Sequence, residues 1–127
     1  MIIDSSVAVE VALGSQLGRD AVPMLAQDLF VPELFFAEFH YVLHRLRTRK
    51  AINNAQVDDA RRVLAGLSVK ALPVHHLEEA LWRTAQRVSA YDAHYVVLAK
   101  ELNVPLVTRD RRLANNENLG VNFVVID

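Results

Sequence analysis

Two aspartates bracket the stretch SAYDAHYVVLAKELNVPLVTRDRRL, residues 89 to 113: Asp92 opens an apolar helical pattern and Asp110 follows a short apolar strand. Asp4 stands in the same relation to the opening MII, and Glu38 lies inside ELFFAEFHYVLHRL. With no cysteine, the chain has no disulfides, thiolate metal sites or thiol nucleophiles, and its chemistry must come from carboxylates, hydroxyls and five histidines. Carboxylates gathered without sulfur suit hard cations, so Mg²⁺ or Mn²⁺ is the natural partner rather than zinc or copper.

Glu38 makes the strongest case. The first two turns of its helical pattern are apolar almost all round, and Leu34, Phe35, Tyr41 and Val42 share its face. An ionised carboxylate there costs several kcal/mol, of the order expected for a desolvated ion, unless a cation or a partner offsets it. Arg45, two turns on, is the ordinary partner in an ion pair. The aspartates have ordinary readings too. Asp4 can cap a helix starting at Ser5 or Ser6, Asp110 a short turn through RRLAN, and Ser89 with Asp92 fits a capping box. Capping and cation binding are compatible.

The elements that must position these acids read as alternating short strands and longer helices. Apolar β-type runs fall at 1 to 3, 29 to 31, 69 to 74, 105 to 108 and 122 to 126, and helical patterns at 6 to 13, 21 to 27, 33 to 50, 54 to 66, 77 to 88 and 90 to 102. Continuously apolar strands alternating with helices predict an α/β domain, a three-layer α/β/α sandwich around a mostly parallel five-stranded sheet. In such sheets ligands bind beyond the carboxyl ends of the strands, where Asp4 and Asp110 stand. If their strands are neighbours, about 4.8 Å apart, the two carboxylates can share a cation. Asp20 is the expected cap of the second helix, which places Pro23 harmlessly in its first turn.

At 127 residues the chain fits one domain, 1 to 127. Fourteen basic against fifteen acidic side chains exclude the global basicity of a general nucleic-acid binder. No basic leader precedes Asp4 and no uncharged run approaches ~20 residues, so the expected location is cytoplasmic. Basic residues cluster in HRLRTRK and RDRR, where Arg45, Arg109, Arg111 and Arg112 could grip phosphates or simply face solvent. His75 and His76 follow the third strand without an evident role. Leu77, Leu81 and Trp82 form a stripe expected in the core, while Phe35, Phe36, Phe39 and Tyr41 offer more aromatic surface than one packed face needs.

With Asp4, Glu38, Asp92 and Asp110 placed, the chain resembles the PIN-domain family, and within it the VapC-type toxins of toxin–antitoxin pairs. The resemblance rests on IIDSSVAVEV, PELFFAEFHYVL, YDAHYVVLAKELNVPLVTRDRRL and the closing strand, and covers essentially the whole length. It implies an endoribonuclease that hydrolyses RNA with one or two Mg²⁺ or Mn²⁺ ions held by Asp4, Glu38, Asp92 and Asp110, supported by Ser6 and Thr108. It also implies a homodimer and an antitoxin of the VapB type laid across the acidic pocket. Glu10 departs from the pattern, since many relatives carry a basic residue there. Two rival readings stand beside this one: a catalytically silent PIN-like module that binds a protein through its apolar helices, and a receiver-like Mg²⁺-binding signalling domain. The receiver fits less well, because MIIDSS offers one acid where a receiver pairs two, and no lysine follows the last strand.

Overall fold

The computed structural model describes all 127 residues. Five strands, β1 (Ile2–Ile3), β2 (Leu29–Pro32), β3 (Val69–Leu72), β4 (Leu106–Thr108) and β5 (Phe123–Val125), form one parallel sheet in the order β3-β2-β1-β4-β5. Helices fill the connections: α1 (Ser5–Leu13), α2 (Gln16–Ala21), α3 (Phe35–Thr48), α4 (Asn54–Gly66), α5 (Glu78–Thr84), α6 (Ala90–Leu102) and α7 (Arg111–Ala114). The chain moves outward from β1 to β3, then returns past β1 to lay down β4 and β5. Right-handed crossovers therefore place the helices before and after that reversal on opposite faces. Accordingly α1 packs against α2, α3 and α4, while α5 packs on α6, and the expected three layers result. The receiver-like alternative requires a 2-1-3-4-5 order, which this sheet does not have.

Being covered on both faces explains why the inner strands are apolar without alternation. Ile2, Ile3, Val31, Leu106 and Val107 have no exposed surface. The edge strand β3 is half-covered, with Lys70 in solvent, a charge that discourages another chain from adding to the edge.

Local signals set the helix ends. Gly14, at φ 67°, stops α1 by returning its N–H to the carbonyls of Glu10 and Val11. Asn53 and Gln56 cap α4 reciprocally, and Ser89 caps α6 by accepting the Asp92 N–H. The second helix starts earlier than the sequence suggested. Ser15, not Asp20, is its cap and accepts the Gly18 N–H at 3.0 Å, so α2 ends at Ala21 and Pro23 opens a separate 3₁₀ turn, Val22–Leu25. The early start is possible because Gly18 has no side chain: a Cβ there would stand 2.1 Å from the Glu10 carbonyl oxygen of α1.

Two expectations on the other face are corrected. The helix foreseen over 77 to 88 is only α5, because Arg87 donates to the carbonyls of Glu117 and Asn118 while Asn116 donates to the Arg87 carbonyl, drawing that segment away from the helix axis. Trp82 is 69% exposed rather than in the core, since α5 buries only the side that carries Leu81, with Leu77 just before it.

Candidate metal centre

The strand order reverses between β1 and β4, and the crevice of an α/β sheet opens at such a point. β1 and β4 are neighbours, pairing Ile2 with Leu106 and Ile3 with Val107. The Asp4 N–H continues that ladder to the Val107 carbonyl at 2.9 Å, which sets Asp4 beside Thr108 at the carboxyl end of the sheet. Asp110 lies two residues further along the same exit. Helix α3, leaving β2, brings in Glu38 in its first turn, and α6 brings in Asp92 in its first turn. Four segments far apart in sequence thus deliver the four acids to one end of the sheet.

Asp4 is the most enclosed of the four. Its Oδ2 accepts the Thr108 hydroxyl at 2.8 Å, and its Oδ1 faces the Ser6 N–H at 3.5 Å and the Ser5 hydroxyl at 3.4 Å. Thr108 is fully buried and uses its hydroxyl twice, donating to Asp4 and accepting the Asp110 N–H at 3.1 Å. Asp110 in turn caps α7, its Oδ1 accepting the N–H groups of Arg112 and Leu113 at 2.9 and 3.2 Å. The capping readings of Asp4 and Asp110 therefore hold, and Ser89 caps α6 at Asp92, with each carboxylate keeping acceptor capacity to spare.

Glu38 does not pair with Arg45. Its Oε1 accepts the Tyr95 hydroxyl at 2.6 Å, while Arg45 reaches back along α3 to lie 5.8 Å from the centre of the exposed Tyr41 ring. Glu38 sits in the first turn of α3 and Arg45 in the last, on a stretch that is already open to solvent.

The electrostatics of the cluster are those of acids short of positive charge. Burial raises the pKa of Asp4, against the hydrogen bonds from Thr108, Ser6 and Ser5 that favour its ionised form. Glu38 is raised by burial and by the charges of Asp4 and Asp92, with the Tyr95 hydrogen bond and His94 acting the other way. Asp92 is raised by burial, then by Asp4 and Asp110, with Ser89 opposing. No lysine or arginine pairs with Asp4, Glu38 or Asp92, and Arg112 reaches only within 4.0 Å of Asp110. The Ser6 hydroxyl oxygen is buried beside Asp4 without a hydrogen-bond partner. Hard oxygen donors, mutual repulsion and an orphaned hydroxyl all suit a divalent cation. No three carboxylates or histidines stand close enough to cage an ion outright.

A PIN-domain model matches residues 1–119. The chain belongs to the PIN-domain family. Among its relatives is a VapC ribonuclease of Mycobacterium bovis, 36% identical over 126 residues, which span 99% of this chain and 98% of that protein. Among solved structures, a protein from Pyrobaculum aerophilum superposes with a TM-score of 0.69 at 25% identity, covering 97% of this chain and 89% of the other. A toxin–antitoxin complex from Klebsiella pneumoniae shares the fold at a TM-score of 0.71 and 12% identity, over 98% of this chain and 95% of that one.

Around this PIN centre the basic residues are mostly engaged. Arg109, one residue before Asp110, pairs with Glu10 of α1 at 2.5 Å, and Glu10 also accepts the Ser15 hydroxyl. Glu10 thus ties the exit of β4 to α1 and to the start of α2. Arg111 pairs with Asp127, and the Arg112 side chain is 97% exposed. His75 and His76 pack ring edge to ring face at 5.9 Å and stay exposed. Tyr95 is the contributor that sequence reading missed. Its one legible signal was spacing, since it lies three residues after Asp92 and hence on the same face of α6.

Proposed function

We propose that this PIN-domain chain is a VapC-type endoribonuclease, the toxin of a toxin–antitoxin pair, acting through Asp4, Glu38, Asp92 and Asp110. The observation that carries the reading is the convergence of these acids at the sheet's switch point, where burial raises the pKa of Asp4, Glu38 and Asp92, the charge of Asp4 adds to the rise at Glu38 and Asp92, and no lysine or arginine pairs with any of the three. A divalent ion, Mg²⁺ or Mn²⁺, bound there would supply positive charge for a phosphate oxygen and activate a water. Asp4 would be the central ligand, oriented by the Thr108 hydroxyl and the Ser6 N–H. Asp92 and Asp110 would hold the ion directly or through water, and Glu38 would be a further ligand or orient a water for attack. Ser6, with its free hydroxyl, supports Asp4 or a water in the centre.

The substrate is RNA, whose phosphates flanking the cut would meet the exposed Arg112 and draw Arg109 and Arg111 from their pairs with Glu10 and Asp127, with Arg45 further out on α3. The same acidic opening receives a VapB-type antitoxin, and the protein works as a homodimer in the cytoplasm, with residues 1 to 127 as a single domain. No helix is long and apolar enough to cross a membrane. Cleavage of a structured RNA pool by the purified chain, with Mn²⁺ or with chelator, tests the reading. Metal-dependent cleavage that is lost in a folded Asp4→Asn variant is the expected result. Full activity in that variant refutes the assignment, and metal binding without cleavage of any RNA returns the chain to the silent-module reading.

A further inference from the structure

Tyr95 lies in the middle of α6 with 1% of its surface exposed, and its hydroxyl donates to Glu38 across 57 residues of sequence, joining α6 to α3. A buried phenol needs a partner, and a backbone carbonyl would serve. Here the partner is a carboxylate of the acidic centre that makes no ion pair, held at 2.6 Å, the short distance of a hydrogen bond to a charged acceptor. It is the only hydrogen bond the Glu38 carboxylate makes, at the end of a side chain with three rotatable bonds on the first turn of α3. Helix α6 thus supplies one acid of the centre, Asp92, and three residues later the group that holds another.

We propose that Tyr95 is a positioning residue: its hydroxyl fixes the Glu38 carboxylate by one oxygen, so that the other is presented to a divalent cation or its bound water. This rests on reading the acidic centre as a cation site. Groups that orient metal ligands through an outer hydrogen bond typically cost tenfold to a hundredfold in metal affinity when removed. Tyr95→Phe keeps the ring and deletes only the hydroxyl, so that is the size of the expected loss.

The experiment is Mn²⁺ calorimetry on the metal-free full chain in four forms: unaltered, Tyr95→Phe, Glu38→Gln, and both changes together. The expected result is an affinity about tenfold or more weaker in Tyr95→Phe, with no further loss when the same change is made on Glu38→Gln, because the hydroxyl acts only through that carboxylate. Unaltered affinity in Tyr95→Phe, while Glu38→Gln weakens binding, leaves the cation site standing and overturns the role of Tyr95. Equal losses in both backgrounds overturn it too, since the hydroxyl then acts through the fold at large. Absence of Mn²⁺ binding by the unaltered chain sinks the site and this inference together. Should Tyr95→Phe not fold, Tyr41→Phe and Tyr91→Phe, at exposed positions, leave Tyr95 as the one tyrosine for ultraviolet resonance Raman. A change in its hydroxyl donor signature that saturates with Mn²⁺ supports the role, and an invariant signature refutes it.

Discussion

Replacing Thr108 with valine removes one hydroxyl and almost no shape. Thr108 has no exposed surface, and its oxygen makes both a bond to the Asp4 carboxylate at 2.8 Å and a bond from the Asp110 N–H at 3.1 Å. Loss of a buried bond to a charged group costs about 1.5–3 kcal/mol, and loss of the amide bond about 1 kcal/mol. The added methyl in a fully buried site offsets roughly 0.8 kcal/mol. Valine suits the strand, so no backbone penalty enters. The balance is a destabilisation of about 2–3 kcal/mol, or roughly 10 °C in melting temperature for a chain of this size. The assay is thermal unfolding of the metal-free protein at neutral pH, followed by circular dichroism. The pH dependence is a second check. The Thr108 bond favours ionised Asp4, so the deficit is full at neutral pH and shrinks as acid protonates Asp4, which can then donate a hydrogen bond of its own. A melting temperature within about 3 °C of the parent at neutral pH, under 1 kcal/mol, would refute the claim that this hydroxyl holds Asp4 and the Asp110 turn together.

Other outcomes follow from the same geometry. Burial raises the pKa of Asp4, Glu38 and Asp92, so the folded chain holds those protons more tightly than the unfolded one. The metal-free protein should therefore gain stability as the pH falls from neutral through those raised values, and Asp4→Asn should flatten that rise in a melting series across pH. Mn²⁺ at a hundred times its dissociation constant should stabilise the parent by about 2.7 kcal/mol, an increment that chelator removes and Asp4→Asn lacks, both read by differential scanning fluorimetry. Gly18→Ala should cost about 3 kcal/mol or abolish folding, because the new Cβ meets the Glu10 carbonyl of α1, which is backbone and cannot swing aside; urea unfolding measures it. The Arg109 pair with Glu10 is partly exposed, so Glu10→Gln should cost less than about 1 kcal/mol, with a difference that fades at high salt.

What could be read from the sequence was whatever depends on near neighbours along the chain. Apolar runs without alternation marked strands buried on both faces, and the positions of Asp4 and Asp110 just past two of them put both at the carboxyl edge. That β1 and β4 are adjacent is a property of the topology, which no local pattern encodes. Glu38 was correctly seen to need a partner, but spacing offers only partners on the same helix, and Arg45 was the one available. The actual partner, Tyr95, comes from another helix. Asp20 beside Pro23 looked like a helix start because the close approach of Gly18 to α1, which lets the helix begin at Ser15, is tertiary. Trp82 was misplaced for a related reason: a stripe on a seven-residue helix does not reveal how much of it a single neighbour covers.

The pairing of β1 with β4 also sets when the acidic quartet can assemble. Ile2 and Leu106 are partners across nearly the whole chain, and such distant contacts carry the largest loop-closure cost and form late. The first strand to leave the ribosome must wait at the centre of an unfinished sheet until one of the last arrives to complete it. Asp4 emerges almost immediately, but Asp110 and the Thr108 hydroxyl that orients Asp4 come only after more than a hundred further residues. A chain interrupted before β4 lacks part of the acidic quartet and the ladder that holds Asp4 in register. If these acids are the catalytic centre, the order of synthesis acts as a safeguard, since the quartet can assemble only in a chain that has reached β4 and Asp110.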